Sequence, residues 1–427
     1  MNTVLVRTVQ KFLIASLALS LALPLVRAGA EEDATSKATS STCYQCHVGL
    51  DSALAQPAKS FADDVHAKHG HTCADCHGGD PEAEDPEVAM SPRKGFLGVP
   101  RPAQVPKLCG KCHANVALMR AEKPGLRTDQ LELYWTSQHG KLLKRGDENV
   151  AVCSSCHSAH SVLPPTDPRS TVHPTRVAET CGACHSDASL MSRYGIPTDQ
   201  EKEWRSSVHA AAMLEKNDLS APTCNDCHGN HGALPPQVSN ISRVCGQCHV
   251  ANDEFFQGSP HRKAFAEMDL GQCEVCHGNH AVKRTSDEML GVGEKAVCAN
   301  CHGEGDAGYE AALRMRRAID SLRTGIEKSE ALLLRVEKAG IPVDDAEFAL
   351  REARNSLIRS RTEVHKFDPE PVVAVVKEGL EKQSEAHTFG LKALHEIRKR
   401  RVGLLAFLAV SLVVVIGLIL KIRSSES

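Results

Sequence analysis

Nine copies of the pattern C-x-x-C-H constrain this chain of 427 residues more than any other feature. All 18 cysteines belong to these copies, which we number motif 1 to motif 9 in chain order. The cysteine pairs are Cys43 and Cys46, Cys73 and Cys76, Cys109 and Cys112, Cys153 and Cys156, Cys181 and Cys184, Cys224 and Cys227, Cys245 and Cys248, Cys273 and Cys276, and Cys298 and Cys301. The histidines that follow them are His47, His77, His113, His157, His185, His228, His249, His277 and His302.

The spacing of these motifs has a chemical reason. Two thiols separated by two residues can form thioethers to both vinyl groups of one haem, and the next residue then places its imidazole under the iron. Zinc ribbons, thioredoxin-like redox pairs and structural disulfides also use paired cysteines, but none requires a histidine directly after the second cysteine. The motifs therefore predict nine covalently attached haem c groups, each with a proximal histidine.

The composition of the chain agrees with a core made of cofactor. The motifs lie within residues 43–302, so about 29 residues are available for each haem. An ordinary apolar core as large as the nine haems would need far more residues than this. Aromatic residues make up only 4 % of the chain. We expect the haems themselves to fill the interior.

The motifs form pairs that repeat. In three pairs an aromatic residue and the triplet S-x-H, which contains His139, His209 or His261, precede the second motif, and a degenerate copy with His66 precedes motif 2. This pattern predicts four di-haem modules, which begin near Cys43, Cys109, Cys181 and Cys245, followed by a lone ninth haem. Proline and glycine in the links favour loops, so the predicted fold class is mainly α with extensive loops.

Thirteen of the 22 histidines lie outside the motifs and are candidates for the second axial position of each iron. The distal candidates are His66, His69, His139, His160, His173, His209, His231, His261 and His280. We expect His139 with His160, His209 with His231, and His261 with His280 to serve the two haems of their own modules. In the first module Asp80 replaces the second histidine, so His69 or His71 is the substitute.

Two further points concern these ligands. For the ninth haem the sequence leaves His173 and the later histidines His365, His387 and His395 open. In "CNDCHGNH" a continuing helix would displace His231 from His228 by only about 4.5 Å along the axis, so His231 must serve a different haem, either in its own module or in the adjoining one. The methionines have no fixed offset from the motifs, so we interpret them as apolar packing residues.

The region after motif 9 has a different character. Apolar residues recur at helical spacing between charges of both signs, and breaks near Ala339 to Asp345 and Lys366 to Val372 divide residues 306–401 into three helices. A helical hairpin or three-helix bundle is expected. It could form an oligomer contact, or be a solvated stalk that holds the haems away from a membrane.

Both ends of the chain carry apolar segments. Residues 1–30 have the basic, apolar and small-residue regions of a signal peptide. Residues 402–420 are long and apolar enough for a transmembrane helix, followed by a short cytoplasmic tail, 421–427. The basic residues before this helix would by themselves favour a cytoplasmic domain, but a signal peptide commits residues 31–305, the nonahaem domain, to export. We expect a single-pass anchor with the haems on the periplasmic side of the bacterial inner membrane.

With its nine motifs and the C-x-x-C-H-x-x-H copies, the chain resembles the multihaem c-type cytochromes with doubled C-x-x-C-H motifs, a group that includes cytochrome c3-like and cytochrome c554-like electron carriers. The resemblance covers residues 43–302. It implies a periplasmic series of closely packed haems that works in anaerobic respiration.

Two functions follow from this resemblance. An electron carrier would take electrons from a quinol-oxidising membrane subunit or another membrane redox protein and pass them to a periplasmic or outer-membrane acceptor. An enzyme of the hydroxylamine-oxidoreductase or nitrite-reductase type would need an iron with an open position, for which the first module and motif 9 are the candidates. The number of distal histidines favours the carrier. A net charge of −3 predicts no nucleic-acid partner.

Overall fold

The computed structural model describes residues 34–51, 53–235 and 241–426. All cysteines and all histidines lie in these ranges, whereas the predicted signal peptide lies outside them. The chain divides into two compact units. One comprises Met1–Pro236 with His280–Val282, and the other comprises Gln237–Asn279 with Lys283–Ser427.

Short helices and loops make up the first compact unit. Residues 34–39 are helical. The further α-helices are Thr42–Val48, Ala55–Phe61, Val65–Lys68, Cys73–His77, Pro86–Ala89, Val105–His113, Val116–Glu122, Gln130–Thr136, Gln138–Lys144, Cys153–His157, Pro174–His185, Ala188–Met191, Gln200–Arg205, Val208–Ala210 and Cys224–His228. Single 3₁₀ turns lie at Pro92–Lys94, Pro102–Gln104 and Ser192–Tyr194, and a π turn lies at Ala211–Glu215.

Short helices in the second compact unit are followed by three long ones. The short α-helices are Ile241–Gly246, Val250–Gln257, Pro260–Glu267 and Cys273–His277, with 3₁₀ turns at Asp287–Met289, Cys298–Asn300 and Val364–Lys366. We name the long helices the first bundle helix, Ala307–Glu337, the second bundle helix, Asp344–Glu363, and the third bundle helix, Pro369–Glu426. No strand occurs in the described ranges. The predicted mainly α fold class is confirmed.

Each S-x-H histidine is the second residue of a helix whose N-cap is the serine. Ser137 accepts a hydrogen bond from the amide of Gly140, and Ser207 accepts one from the amide of Ala210. Such capping satisfies backbone donors that a helix start leaves unpaired. In the first module Asp64 takes the place of the serine and accepts from the amide of His66. The triplet is therefore a device that fixes where one histidine points.

The even-numbered motifs sit on helices of a single turn that stop at the motif histidine. The helix Cys224–His228 ends because Gly229 has φ 78° and ψ 161°, and Gly278 and Ser158 follow their histidines with φ 77° and 65°. This region of backbone space suits glycine and strains other residues. The spacing argument assumed that this helix continues to His231, but the helix ends at His228. Instead the chain reverses direction directly after His228.

Three helices after motif 9 pack as an up-down-up bundle, as the sequence predicts. At one end Ile319 and Leu322 of the first bundle helix pack against Leu357 and Val372, and at the other end Leu333 packs in a cluster with residues of the other two helices. Because Leu357 belongs to the C-terminal half of the second bundle helix, that helix runs antiparallel to the first. The burial of these apolar faces stabilises the bundle.

The third bundle helix continues without interruption from the bundle into the apolar stretch at residues 402–420. It is long and apolar enough to cross a membrane, and its most apolar window is exposed. Within the described residues no other helix meets these criteria. This helix suggests membrane association.

Candidate haem sites

Histidine rings face each other in pairs at a nearly constant distance. Seven of these pairs have ring centres separated by 5.9 Å for His66 and His113, 6.0 Å for His77 and His160, 6.1 Å for His139 and His185, 6.0 Å for His157 and His231, 6.0 Å for His228 and His280, 5.9 Å for His261 and His302, and 6.2 Å for His277 and His365. Each pair joins one motif histidine to one histidine from outside the motifs.

The distance has a simple interpretation. A ring nitrogen lies about 2.0 Å from a bound first-row metal ion and about 1.2 Å from the centre of its own ring, so two imidazoles on opposite sides of one ion have centres about 6 Å apart. Imidazoles in face-to-face contact would lie closer together than these rings do. The pairs therefore have the spacing of axial ligands on the two sides of an iron.

The pairs follow a register that crosses from one module to the next. The S-x-H histidine of a module faces the first motif of the following module, as His139 faces His185 of motif 5. The second histidine of C-x-x-C-H-x-x-H faces the second motif of the preceding module, as His231 faces His157 of motif 4. The expectation that His139 and His160 serve their own module is therefore wrong, because His160 faces His77 in the preceding module.

Chain reversal after the even-numbered motifs explains this register. His228 faces His280, while His231, three residues later, faces His157. Gly229 turns the chain between them, so the two imidazoles leave the segment toward different partners. This geometry is compatible with the expectation that His231 serves a different haem from His228. Of the two modules considered, its own and the adjoining one, the ring contact favours the adjoining one.

Several of these imidazoles are oriented by a hydrogen bond at Nδ1. The Nδ1 atom of His77 lies 2.9 Å from the carbonyl oxygen of Gly98, and that of His228 lies 3.3 Å from the carbonyl oxygen of Leu234. The Nδ1 atom of His66 lies 2.8 Å from the buried carboxylate of Asp64. An imidazole that donates from Nδ1 presents Nε2 to a metal, and such partners both orient the ring and raise its basicity.

Burial favours the neutral form of most of the paired imidazoles. It lowers the pKa of His113, His139, His157, His160, His185, His231, His261, His277, His280 and His365. A histidine must be neutral to coordinate a metal. The site therefore favours the protonation state that ligation requires.

The first cysteines of the two motifs in a module lie next to each other. Hydrogen bonding to the thiol of Cys153 raises the pKa of Cys109, and the contact of Cys181 with Cys224 raises the pKa of Cys181. A third contact of this kind joins Cys273 to Cys245. These contacts place the attachment points within each of these modules side by side, which agrees with the grouping into modules drawn from the sequence.

Three of the histidines considered for the first and ninth haems make other contacts. The ring of His69 is exposed and lies 3.9 Å from the carboxylate of Glu122. His173 is buried, but it caps the helix Pro174–His185, and its Nδ1 contacts the hydroxyl of Thr175 at 2.8 Å. His71 lies 6.3 Å from His66, with tilted rings. Ring geometry gives no support to His69 or His173 as ligands.

The remaining candidates are placed as follows. His209 is half-buried on the helix Val208–Ala210 and corresponds by register to His66, His139 and His261. His47 has its Nδ1 3.3 Å from the carbonyl oxygen of Leu54, and among the described residues no histidine ring faces it at the distance of the seven pairs. Its Nδ1 contact resembles those of His77 and His228, whereas the opposite side of its ring lacks an imidazole.

Sequence reasoning missed His365 as a partner of motif 8. It offered His365 only for the ninth haem, but His365 faces His277, and the ninth motif histidine, His302, faces His261. The signal was present in the repeat. In motif 9, Gly305 occupies the position of the second histidine of C-x-x-C-H-x-x-H. Motif 8 therefore needed a partner from outside the modules. Asp64 was also missed, although it occupies the serine position of an S-x-H triplet.

Comparisons with known proteins agree with this geometry. A family model described as cytochrome c3 matches residues 65–186. Multiheme cytochrome MtrA of Shewanella baltica (strain OS185) is 24 % identical over 139 residues, which are 32 % of this chain and 35 % of that relative. The match thus spans about a third of the length of the relative. No solved structure matches.

Paired cysteines, facing imidazoles and these two similarities all point to one class of protein. They support a multihaem c-type cytochrome with covalently bound haem c. The residues present fit the group, because each facing pair provides two imidazoles, one of which directly follows the two thiols of a motif.

Proposed function

We propose that this protein is a membrane-anchored electron carrier with nine haem c groups. In this proposal the eighteen motif cysteines form the thioethers and the nine motif histidines are the proximal ligands. The third bundle helix anchors the chain in the bacterial inner membrane, and the signal peptide places the haem domain in the periplasm. The donor is a quinol-oxidising membrane subunit or another membrane redox protein, and the acceptor is a periplasmic or outer-membrane redox protein of anaerobic respiration.

The register of facing histidines carries this proposal. Haem bound at a motif supplies one-electron redox chemistry at its iron. Two imidazoles close both axial positions and keep the reduction potential low, whereas methionine would raise it. Two facing pairs, His66 with His113 and His160 with His77, join the first module to the second. Pairs of this kind hold neighbouring attachment sites close together. Closed irons at short spacing suit electron transfer better than substrate binding.

Electron paramagnetic resonance (EPR) and voltammetry of the full-length oxidised protein in detergent test this proposal. We expect nine haems per chain by haem assay and mass, low-spin signals from at least seven irons, and complete, reversible reduction over a range of low potentials. A His139→Met variant should move one potential upward, and a Met191→His variant, which replaces a residue outside the facing pairs, should not. High-spin iron at most sites, or irreversible reduction, would contradict the proposal.

A second function, binding of a small ligand at one haem, is supported by a single observation. His47 is oriented like the other motif histidines, but among the described residues no imidazole faces it. The register is consistent with this: motifs 3, 5 and 9 take their partner from the S-x-H triplet of the preceding module, and residues 1–42 contain no histidine. The iron at motif 1 is thus the candidate for an open position, as in the enzyme alternative.

Titration of the oxidised protein with nitrite or hydroxylamine distinguishes the two functions. An enzyme would show one high-spin iron per chain whose signal shifts on addition of the substrate, and it would turn that substrate over. A carrier with one accessible iron would show at most ligand binding without turnover. If all irons are low-spin and unaffected, the second function is excluded.

A further inference from the structure

The turn between the second and third bundle helices contacts the motif region directly. His365 lies in the 3₁₀ turn Val364–Lys366, and its ring centre is 6.2 Å from that of His277 of motif 8, with the ring planes inclined by 23°. The planes of His77 and His160, and of His228 and His280, are similarly close to parallel, at 11° and 17°. The seventh pair thus has the geometry of the other even-numbered motifs.

His365 is oriented and protected like the other distal histidines. Its Nδ1 lies 3.0 Å from the carbonyl oxygen of Thr362, which leaves Nε2 to face His277. The side chain is partly buried, as are those of His160 and His231 in their facing pairs. A histidine that only decorated the surface of a helix turn would need neither the burial nor the orientation.

Aromatic contacts hold the turn in place. Phe367 has φ 54°, a left-handed conformation that is uncommon for a bulky residue, and its ring centre lies 3.8 Å from that of His261. The ammonium of Lys366 lies 4.2 Å from the centre of the Phe255 ring. A strained backbone of this kind persists only where its surroundings fix it, and strain of this kind is found most often at functional sites. The turn therefore docks on the ligands of the last two motifs.

The register of the repeat gives the reason for this docking. Motifs 2, 4 and 6 each face a histidine from the C-x-x-C-H-x-x-H segment of the next module, whereas motif 9 has Gly305 at that position. The last complete module therefore has no successor to supply its histidine. The turn of the bundle occupies the position of that successor.

We infer that His365 is the second axial ligand of the haem iron at motif 8, and that the bundle is the terminal cap of the haem repeat. The inference rests on the proposed function only in that irons lie between the facing histidines. It gives residues 306–401 a role beyond that of a stalk, since they complete a cofactor site.

Removal of one imidazole tests the inference in the full-length haem-loaded protein. His365→Ala should convert one iron per chain from low-spin to high-spin in the oxidised EPR spectrum, and the reduced protein should bind one additional equivalent of carbon monoxide. Free imidazole should restore the low-spin signal. His395→Ala, which removes an exposed histidine from the same bundle, should change none of these readouts.

A second variant covers the case in which the alanine variant fails to fold. His365→Met keeps a ligand at the position, so the iron should stay low-spin while the potential of a single haem rises. The inference is overturned if both variants keep the wild-type EPR spectrum, carbon monoxide stoichiometry and potentials. It fails independently of the proposed function, because the remaining haems would still be reversibly reduced.

Discussion

At the scale of single residues, Asp64 shows how one buried carboxylate can tune a haem site. Its side chain is fully buried and lies 2.8 Å from Nδ1 of His66, while its oxygens also accept from the amides of His66 and Val162. A carboxylate behind an axial histidine raises the basicity of the imidazole and stabilises the oxidised iron on its other side. In the proposed arrangement, an iron between His66 and His113 is therefore expected to have one of the lower potentials in the chain.

Substitution of this carboxylate should raise one reduction potential. We expect Asp64→Asn, which keeps the shape but removes the negative charge, to shift a single redox transition to higher potential and to leave the other transitions in place. Spectroelectrochemical titration measures this. Asp63→Asn is the matched control, because Asp63 is exposed and its carboxylate lies on the surface beside Arg169. An unchanged titration curve for Asp64→Asn would show that His66 does not ligate an iron.

Some residues of the haem sites could be predicted from the sequence and others could not. The motif cysteines and histidines are recognisable because thioether attachment imposes fixed spacing along the chain. The ring partners of His66 and His277 are set by contacts between distant segments of the chain. Such contacts impose no fixed spacing in the sequence from which the partners could be predicted. The role of Asp64 was not recognised because serine and aspartate are equivalent helix N-caps. Aspartate in place of serine therefore looked like degeneration of the S-x-H triplet rather than the addition of a carboxylate.

At the scale of elements, the single-turn helices of the even-numbered motifs depend on the residue after the motif histidine. Gly229 adopts φ 78° and ψ 161° at no steric cost, whereas Ser158 holds φ 65° at the corresponding position of motif 4. The serine hydroxyl compensates in part through a hydrogen bond of 2.8 Å to Ser161. The two positions offer a reciprocal experiment.

Exchange of glycine and serine should have opposite effects on stability. Gly229→Ser forces a side chain into a region that suits glycine and should lower the free energy of unfolding by about 1–3 kcal/mol. Ser158→Gly relieves the same strain and should be neutral or stabilising. Chemical denaturation of the haem-loaded variants measures both. Equal destabilisation by the two substitutions would show that the backbone conformation does not matter.

The relative angle of the facing rings separates the elements into two classes. Pairs at motifs 2, 4, 6 and 8 have planes inclined by 11° to 23°, whereas those at motifs 3, 5 and 9 are inclined by 64° to 87°. Near-parallel axial imidazoles give rhombic low-spin EPR signals, and near-perpendicular ones give highly anisotropic signals.

Two populations of low-spin iron should therefore be seen in the oxidised protein. We expect at least four irons in the rhombic class and at least three in the highly anisotropic class by spin quantification. His160→Met should remove one iron from the rhombic class, and His139→Met should remove one from the anisotropic class. A single class of signals, or the opposite assignment of these two variants, would contradict the ring geometry.

Element structure was predictable where a local signal exists. Three bundle helices and the apolar helix follow from periodicity, and their breaks at proline and glycine coincide with the observed turns. The expected continuation of helix from His228 to His231 was wrong, because the positive φ of Gly229 outweighs the helical spacing of the two histidines. Loops that contain a C-x-x-C-H-x-x-H segment have no periodicity from which to predict their direction.

At the scale of the whole molecule, ion pairs attach the bundle to the segment between motifs 8 and 9. The carboxylate of Asp287 is largely buried and receives two hydrogen bonds of 2.8 Å from Arg361 of the second bundle helix. Arg323 of the first bundle helix approaches it at 3.5 Å. Asp306, whose pKa is lowered chiefly by the amide of Tyr309, caps the first bundle helix and contacts Nδ1 of His302. Bundle and haem sites are thus linked at several points.

Loss of Asp287 should weaken this attachment measurably. Asp287→Ala leaves two arginines without their shared carboxylate and should lower stability by about 1–3 kcal/mol. Thermal unfolding followed by circular dichroism of the full-length protein measures it. Glu381→Ala, at an exposed position of the third bundle helix, should change stability by less than about 0.5 kcal/mol. Equal effects of the two substitutions would argue against a specific link.

The continuity of the third bundle helix has a consequence for how electrons can enter this protein. From Pro369 to the start of the apolar stretch at Val402 the helix rises by about 50 Å, and the turn with His365 lies at the far end of that rise. In the proposed arrangement, with the apolar stretch in a bilayer and this helix upright, motif 8 lies about 50 Å from the membrane, too far for a quinol in the lipid to reduce it directly. A donor that reduces the haem at motif 8 must itself extend well out of the membrane or be a diffusing redox protein.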